Sequence, residues 1–451
     1  TSLPAIAVEW YSTKYSDVAN NASKAYSVFA PSDVAMNNFF DNYWEKGGYE
    51  SLDDVDDLAM KYMLNQFIYK DGIAFPDEIT SGKVKNMYDM IFNFDPSKVT
   101  DKSMCVNGVF YGLNTIDTPI LFASVVGPAF RNKDCNYYLY MLDGTGLITA
   151  YSSQDTKYVL LVPTNEQIES EDIYLRTYAD GSRLQQETED GLVDVSSSVM
   201  RTIVNIHTAT GVDGLKTNGT QVLATQTGFN YWYVKDGKIT SSAAYNQILE
   251  PDNNVEPFSE FTEVKNGNDN WNNGRTYMYS GTALFQAQEG DGLQHKLSVC
   301  NDNRYVYYQF AQLLQKADMV MSSNYIFGLA GASHVIGFIP TNEAISTAIA
   351  AGQIPGMDAT GTVTSSSKLR QYLLSYFIRD RENALISYPY PGSAMKSSTY
   401  VTASGKSLTY TDSGSSLSIM VDGKVANVIS DYNFFPFAFD DGCFQLIDTV
   451  L

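Results

Sequence analysis

At 451 residues the chain is long enough for roughly two to four domains of ordinary size, each with its own core. Its 30 Lys and Arg against 51 Asp and Glu give a formal charge of −21, a field that repels phosphate backbones and anionic headgroups and so excludes nucleic acid and direct membrane-surface binding. Charged residues make up only 18% of the chain while 32 residues are tyrosine, which fits an extracellular β-rich protein rather than an acidic disordered tail.

The first recognisable element is an apolar β-rich run, Tyr26 to Ala30, closed by Pro31 and followed by Ser32 and Asp33. Proline ends a strand, Ser is a good N-cap, and an acidic residue suits the positive end of a helix, so the segment predicts a strand-turn-helix corner. Little chain precedes it, which leaves room for only a truncated or replaced first helix. Asp53 to Asp57 reads as a helix N-terminus, and the helical pattern closes on Tyr62-Met63-Leu64-Asn65-Gln66-Phe67-Ile68. An Asn107-Gly108 turn then opens an apolar strand running to Ile116 and Asp117.

A second corner follows at Tyr158 to Ile168, where Thr164 and Gln167 stand at capping-box spacing. Residues 169–198 are rich in Glu, Asp, Ser and Gly without a clear period and predict a surface loop. The helical pattern ends at Thr202 to His207. Tyr231-Trp232-Tyr233 alternates as a strand, with Tyr231 and Tyr233 on one face and Trp232 on the other. One face is expected in the core; the other is a candidate platform for sugar stacking or protein contact. Residues 250–274 read as a second surface loop. Within it Asn266 to Gly274 supplies oxygen ligands, but Trp271 occupies the sixth position of an EF-hand frame where Gly is needed, so an Asx-rich turn is expected, with Trp271 as a candidate contact residue. Asn273-Gly274 opens the next closing strand, towards Leu284.

In the last third, Tyr305, Tyr307 and Tyr308 are expected to pack between domains. The longest charge-free stretch, Met319 to Pro340, is interrupted by Ser322, Ser323, Asn324, Gly328, Gly331, His334 and Gly337, and predicts a buried helix and a buried strand rather than a membrane span. Its end is the third corner, Val335 to Ile345. The helical pattern again closes on Tyr372-Leu373-Leu374-Ser375-Tyr376-Phe377-Ile378, Ser404-Gly405-Lys406-Ser407 reads as a hairpin turn, and Asp441-Gly442 opens the final strand to Leu451.

The order of corner (Pro-Ser-Asp in the first copy, Pro-Thr-Asn-Glu in the other two), helix end and Asn-Gly or Asp-Gly closing strand occurs three times and resembles the fasciclin-type domain in three tandem copies, at residues 1–120, 121–289 and 290–451, the second enlarged by loops. The resemblance implies an α+β fold in which each copy is a wedge of twisted, mostly antiparallel sheets with packed helices. In the family, a Tyr-His pair at the end of the middle helix is associated with integrity and adhesion. It falls on Gln66 and Phe67, Ile206 and His207, and Tyr376 and Phe377; no copy has both residues, which favours a core role for these positions. The resemblance further implies a non-catalytic adhesion or binding protein outside the cell. The tandem acidic form is similar to lipid-anchored bacterial surface proteins, some of which accompany nutrient-uptake transporters of outer membranes. Expected partners are therefore other surface or outer-membrane proteins, a transporter complex among them, or glycans.

Few residues argue for chemistry. Cys105, Cys135, Cys300 and Cys443 lack Cys-x-x-Cys spacing and read as buried free thiols. His207, His295 and His334 form no zinc pair, and no nucleophile elbow is present, so neither cofactor nor metal is expected. Two alternatives stand beside the binding reading: a glycan-binding module that stacks sugars on Tyr231, Trp232 or Tyr233, and a hydrolase with an acidic pair in the second copy.

Overall fold

The computed structural model describes residues 26–69, 73–91, 95–105, 108–288, 290 and 292–451. Asn107 of the first closing turn and the stretch ahead of the first corner lie outside them. The chain mixes helices and strands as an α+β protein and divides into two compact units. The first comprises Thr1–Val204, Thr210–Gly214 and Thr262–Leu284; the second comprises Asn205–Ala209, Leu215–Phe261 and Phe285–Leu451. Each has its own continuous apolar core.

In the first unit the corner strand Tyr26–Pro31 runs parallel to the closing strand Gly108–Leu113, from Tyr26 opposite Gly108 to Pro31 opposite Leu113. Ile68–Tyr69 and Val99–Cys105 flank this pair antiparallel, giving a four-stranded sheet. A second parallel pair in the same unit joins the corner strand Tyr158–Leu161 to Gly274–Tyr279, starting at Tyr158 opposite Gly274. In the second unit Val335–Pro340 runs parallel to Gly442–Ile447, starting at Val335 opposite Gly442. Phe377–Arg379 and Phe437–Phe439 complete that sheet, and every residue of the central pair is buried, as expected of parallel strands covered on both faces.

All three pairs therefore begin on a glycine, for one reason. A Cβ built on Gly108, Gly274 or Gly442 would stand 1.9, 1.9 and 2.2 Å from the carbonyl oxygen of Tyr26, Tyr158 and Val335. Only a residue without a side chain lets the two backbones approach so closely. The corners end as their sequences predict. Ser32, Thr164 and Thr341 each accept a hydrogen bond from a backbone N–H one turn on, at Ala35, Gln167 and Ala344. The capping box is complete at the second corner, where Gln167 also accepts from the Thr164 N–H at 2.9 Å. Asp56 caps the helix Asp57–Asn65, accepting from Leu58 and Ala59, so the first acidic cluster is a helix start.

Several loops and faces differ from expectation. Residues 169–198 hold a three-stranded antiparallel sheet, Ile173–Tyr178, Gly181–Thr188 and Gly191–Asp194. Its two tight turns each lead into a positive-φ glycine, Gly181 and Gly191. Only Ile173 and Leu184 are buried among its apolar side chains, so no apolar period marks the strands. Within 250–274 a strand, Ser259–Val264, replaces part of the expected loop, while Asn266 and Asp269 do form the turn. Met319 to Phe327 is a turn-rich hairpin, not a helix: Met321 N–H donates to Tyr325 across Asn324, which adopts the left-handed conformation. No helix among the described residues is long and apolar enough to cross a membrane. Ser404 and Gly405 form the expected turn between Ser398–Val401 and Ser407–Asp412.

Candidate functional site

The six helix-end positions are interior. Phe67, Ile206, His207, Tyr376 and Phe377 are all buried, and Gln66 is 3% exposed. Tyr376 shows why: its hydroxyl accepts from the Leu451 N–H at 2.8 Å and shares a 2.5 Å hydrogen bond with the Tyr372 hydroxyl, tying the helix end to the last residue of the chain. Burial pushes the Tyr372 hydroxyl up to about 12, so the pair is neutral at any physiological pH. His207 lies with its ring 6.0 Å from that of Phe285.

The aromatic platform is not at the surface. Tyr231, Trp232 and Tyr233 form the expected strand, Tyr231–Lys235, but the three are 2, 0 and 0% exposed, so neither face is wet. Trp232 donates its indole N–H to the Ile206 carbonyl at 2.7 Å, Tyr231 accepts from the Tyr388 N–H, and Tyr233 stacks on Phe435 with ring centroids 4.7 Å apart. Alternation cannot separate a solvent face from a core face when a strand is covered on both. Trp271 is buried as well, its N–H bonded to the Val264 carbonyl and its ring beneath the Arg131 guanidinium. Tyr305 gives its hydroxyl to the Glu250 carboxylate, and Tyr307 is buried beside it.

The inventory of reactive groups is equally structural. Cys135, Cys300 and Cys443 are buried free thiols, and burial raises Cys135 to about 12 and Cys300 to about 11; Cys105, by contrast with expectation, is exposed. In the acidic three-stranded sheet between Ile173 and Asp194, Glu187 pairs with Arg176 and Asp194 with Arg183. Among the described residues no group of three or more His, Cys, Asp or Glu could hold a metal ion.

What the sequence did not disclose is the work of the Asn and Asp side chains within the repeated motifs. Asn273, before the closing glycine, is buried; its Oδ1 accepts from the Val125 N–H at 2.9 Å and its Nδ2 donates to the carbonyls of Tyr151 and Ser153. Asp441, which likewise precedes a closing glycine, Gly442, accepts from the N–H groups of Leu293 and Gln294. Asn165 and Asn342, after the corner Thr, accept from Tyr137 and Gln309 at the start of the preceding helices Asn136–Thr145 and Tyr308–Lys316. The only hint in the sequence was that these residues recur in register.

Two surface features remain. One is the Met319 to Phe327 hairpin, which leaves Met321, Tyr325 and Phe327 43, 49 and 53% exposed, with the Arg370 guanidinium 5.9 Å from the Phe327 ring. The other is a cavity of about 290 Å³ in the first unit, lined by Gln66, Phe67, Met90, Leu113, Lys98 and Asp117 among others. At its rim Lys98 and Asp117 form an ion pair at 2.6 Å.

No protein-family model matches the chain, and no curated protein does. Among solved structures, a pair of FAS1 domains from the insect cell adhesion molecule fasciclin I is similar at 14% identity over 70% of this chain and 95% of that one, with a TM-score of 0.29. At that score the likeness carries no argument about function.

Proposed function

We propose that this chain is a non-catalytic cell-surface binding protein of three fasciclin-type repeats, at 1–120, 121–289 and 290–451, acting through protein-protein contact. The repeat reading rests on the corner, glycine-led parallel pair and N-cap recurring in the same order. In its most specific form the protein is a lipid-anchored accessory subunit of an outer-membrane nutrient-uptake complex. The observation that carries the binding reading is the exposed Met321, Tyr325 and Phe327 hairpin beside Arg370. Aromatic residues, Met and Arg are the side chains enriched at protein interfaces, and interface energy concentrates in such anchors. On a protein of charge −21 an uncharged apolar tip is where a partner meets least desolvation cost. The glycan alternative loses its platform, because a buried ring cannot stack on a sugar.

Purification from native membranes in mild detergent tests the reading. A partner chain in stoichiometric amount, lost when Tyr325→Ser and Phe327→Ser are combined, is the expected result. Recovery as a lone monomer overturns the accessory-subunit role, and undiminished co-purification of the double variant overturns the hairpin as the contact.

A further inference from the structure

The three-stranded sheet between Ile173 and Asp194 ends on an open strand. Gly191–Asp194 pairs only with Gly181–Thr188, and all four of its residues are exposed. Antiparallel ladders alternate, and two bonds fix the phase of this one: Val195 N–H donates back to the Leu184 carbonyl, whereas Glu187 N–H turns away to the Asp172 carbonyl. The pair of Gln186 with Val193 is therefore the hydrogen-bonded one. Leu192 and Asp194 point their backbone N–H and C=O groups outward, where they meet no partner among the described residues.

Other sheet ends are closed by side chains. Asn383 bonds both the N–H and the carbonyl of Val401, at 3.0 and 2.9 Å, Asp448 accepts from the Asn427 N–H, and Asp101 accepts from the Lys102 N–H. Capping of this kind keeps foreign strands off an edge, and Gly191–Asp194 has none among the described residues. Its surroundings choose a partner. Leu192 and Val193, one on each face, are 52 and 51% exposed, and a strand laid alongside would cover both. From Ile173 to Asp194 the sequence carries five carboxylates against two guanidiniums. Arg176 pairs with Glu187, and Arg183 with Asp180 and Asp194. Glu189 and Asp190, in the turn that leads into the strand, are left without an ion pair among the described residues. We propose that this edge is a docking site for an extended Lys- or Arg-bearing segment of a partner protein, which adds a fourth strand through Leu192 and Asp194 and sets its cations against Asp190 and Asp194. A second copy of the chain is disfavoured, because two such edges would bring like charges together.

The peptide Thr-Lys-Val-Lys-Val-Thr, capped at both ends and carrying a neutral fluorophore, presents Lys on one face and Val on the other, and is titrated into the full chain by anisotropy. Its counterpart with Glu for Lys is expected to bind about tenfold more weakly, the worth of two exposed ion pairs. Binding of the Lys peptide should slow hydrogen exchange at the Leu192 and Asp194 amides. Leu192→Pro removes only an outward N–H, leaves the ladder to Gly181–Thr188 in place and should abolish binding. Glu189→Lys combined with Asp190→Lys, both in an exposed turn, should reverse the preference towards the Glu peptide even where Leu192→Pro fails to fold. No binding of the Lys peptide, or equal binding of the two peptides, overturns the proposal. So does undiminished binding to Leu192→Pro, or exchange that is unchanged at Leu192 and Asp194. Dimerisation of the chain that Leu192→Pro abolishes would overturn the basic partner and assign the edge to a second copy.

Discussion

Replacing Gly274 by alanine tests the physical basis of the repeated strand pair. Gly274 has φ +151°, and a Cβ there would lie 1.9 Å from the Tyr158 carbonyl oxygen. Relief requires the strands to part by roughly 1 Å, which takes the 2.9 Å bond from Tyr158 N–H to the Asn273 carbonyl out of hydrogen-bond range. Backbone strain of about 1–3 kcal/mol and the loss of one or two ladder bonds at about 1 kcal/mol each bring the expected cost to about 2–5 kcal/mol. Gly146 is the control. It lies in the same unit with φ +68° and open space around a would-be Cβ, so alanine there should cost only about 1 kcal/mol. Calorimetry of the full chain should therefore show a melting temperature lowered by roughly 4 to 20 °C for Gly274→Ala and by roughly 2 to 4 °C for Gly146→Ala. Equal shifts would mean that the strands yield without losing their bonds, and would refute the close-approach argument for all three glycines.

Asn273→Ala removes the hydrogen bonds to the Val125 N–H and to the Tyr151 and Ser153 carbonyls and should cost about 3 kcal/mol in urea unfolding. Asn273→Asp keeps the bond to Val125 but turns a carboxylate oxygen on two carbonyls. That raises the folded-state carboxyl above its unfolded value, so the variant's deficit should be small in acid and should grow as pH rises through the raised folded value. Tyr376→Phe removes the acceptor for the Leu451 N–H and should cost about 1–2 kcal/mol, with faster hydrogen exchange of that amide as the specific readout. A thiol reagent at pH 8 should titrate one of the four cysteines in the native protein, Cys105, and all four in denaturant; rapid reaction of a second native thiol would contradict the burial that raises Cys135 and Cys300.

The features legible in the sequence are those in which a residue type answers a backbone demand. Pro31, Pro163 and Pro340 end strands, Ser32, Thr164 and Thr341 cap helices, and Gly108, Gly274 and Gly442 permit close approach, whatever surrounds them. Tertiary context decided the rest. The Tyr231 strand alternates by geometry alone, and its burial comes from Tyr388, Tyr390 and Phe435, far away in sequence. The sheet of Ile173 to Asp194 is polar on most positions, so its strands were hidden although Asp180-Gly181 and Asp190-Gly191 marked its turns. The same Asp-Gly signal went unread at Asp236-Gly237 and Asp422-Gly423, which turn two hairpins through positive φ and both continue with Lys. The Met319 hairpin misled for the opposite reason: an apolar run says that a segment avoids charge, not that it avoids water.

Asn273, which is buried, and Asp441, which is half-buried, also show how side chain follows partner at the two turns. Where the closing turn meets both a backbone N–H and two carbonyls, the turn before Gly274 uses Asn273, which can accept and donate. Where the bonds come from N–H groups, the turn before Gly442 uses Asp441, which offers two acceptors at the start of the helix Leu293–Ser298. Asn thus stands at the turn whose bonds both donate and accept, and Asp at the turn whose bonds all come from N–H groups. Salt bridges cannot substitute, since most of those present, including Arg176 with Glu187 and Lys406 with Asp422, are largely exposed and weakly stabilising. Cohesion therefore comes from apolar cores pinned by neutral or backbone-paired side chains, which leaves the acidic exterior free to keep like-charged surfaces apart.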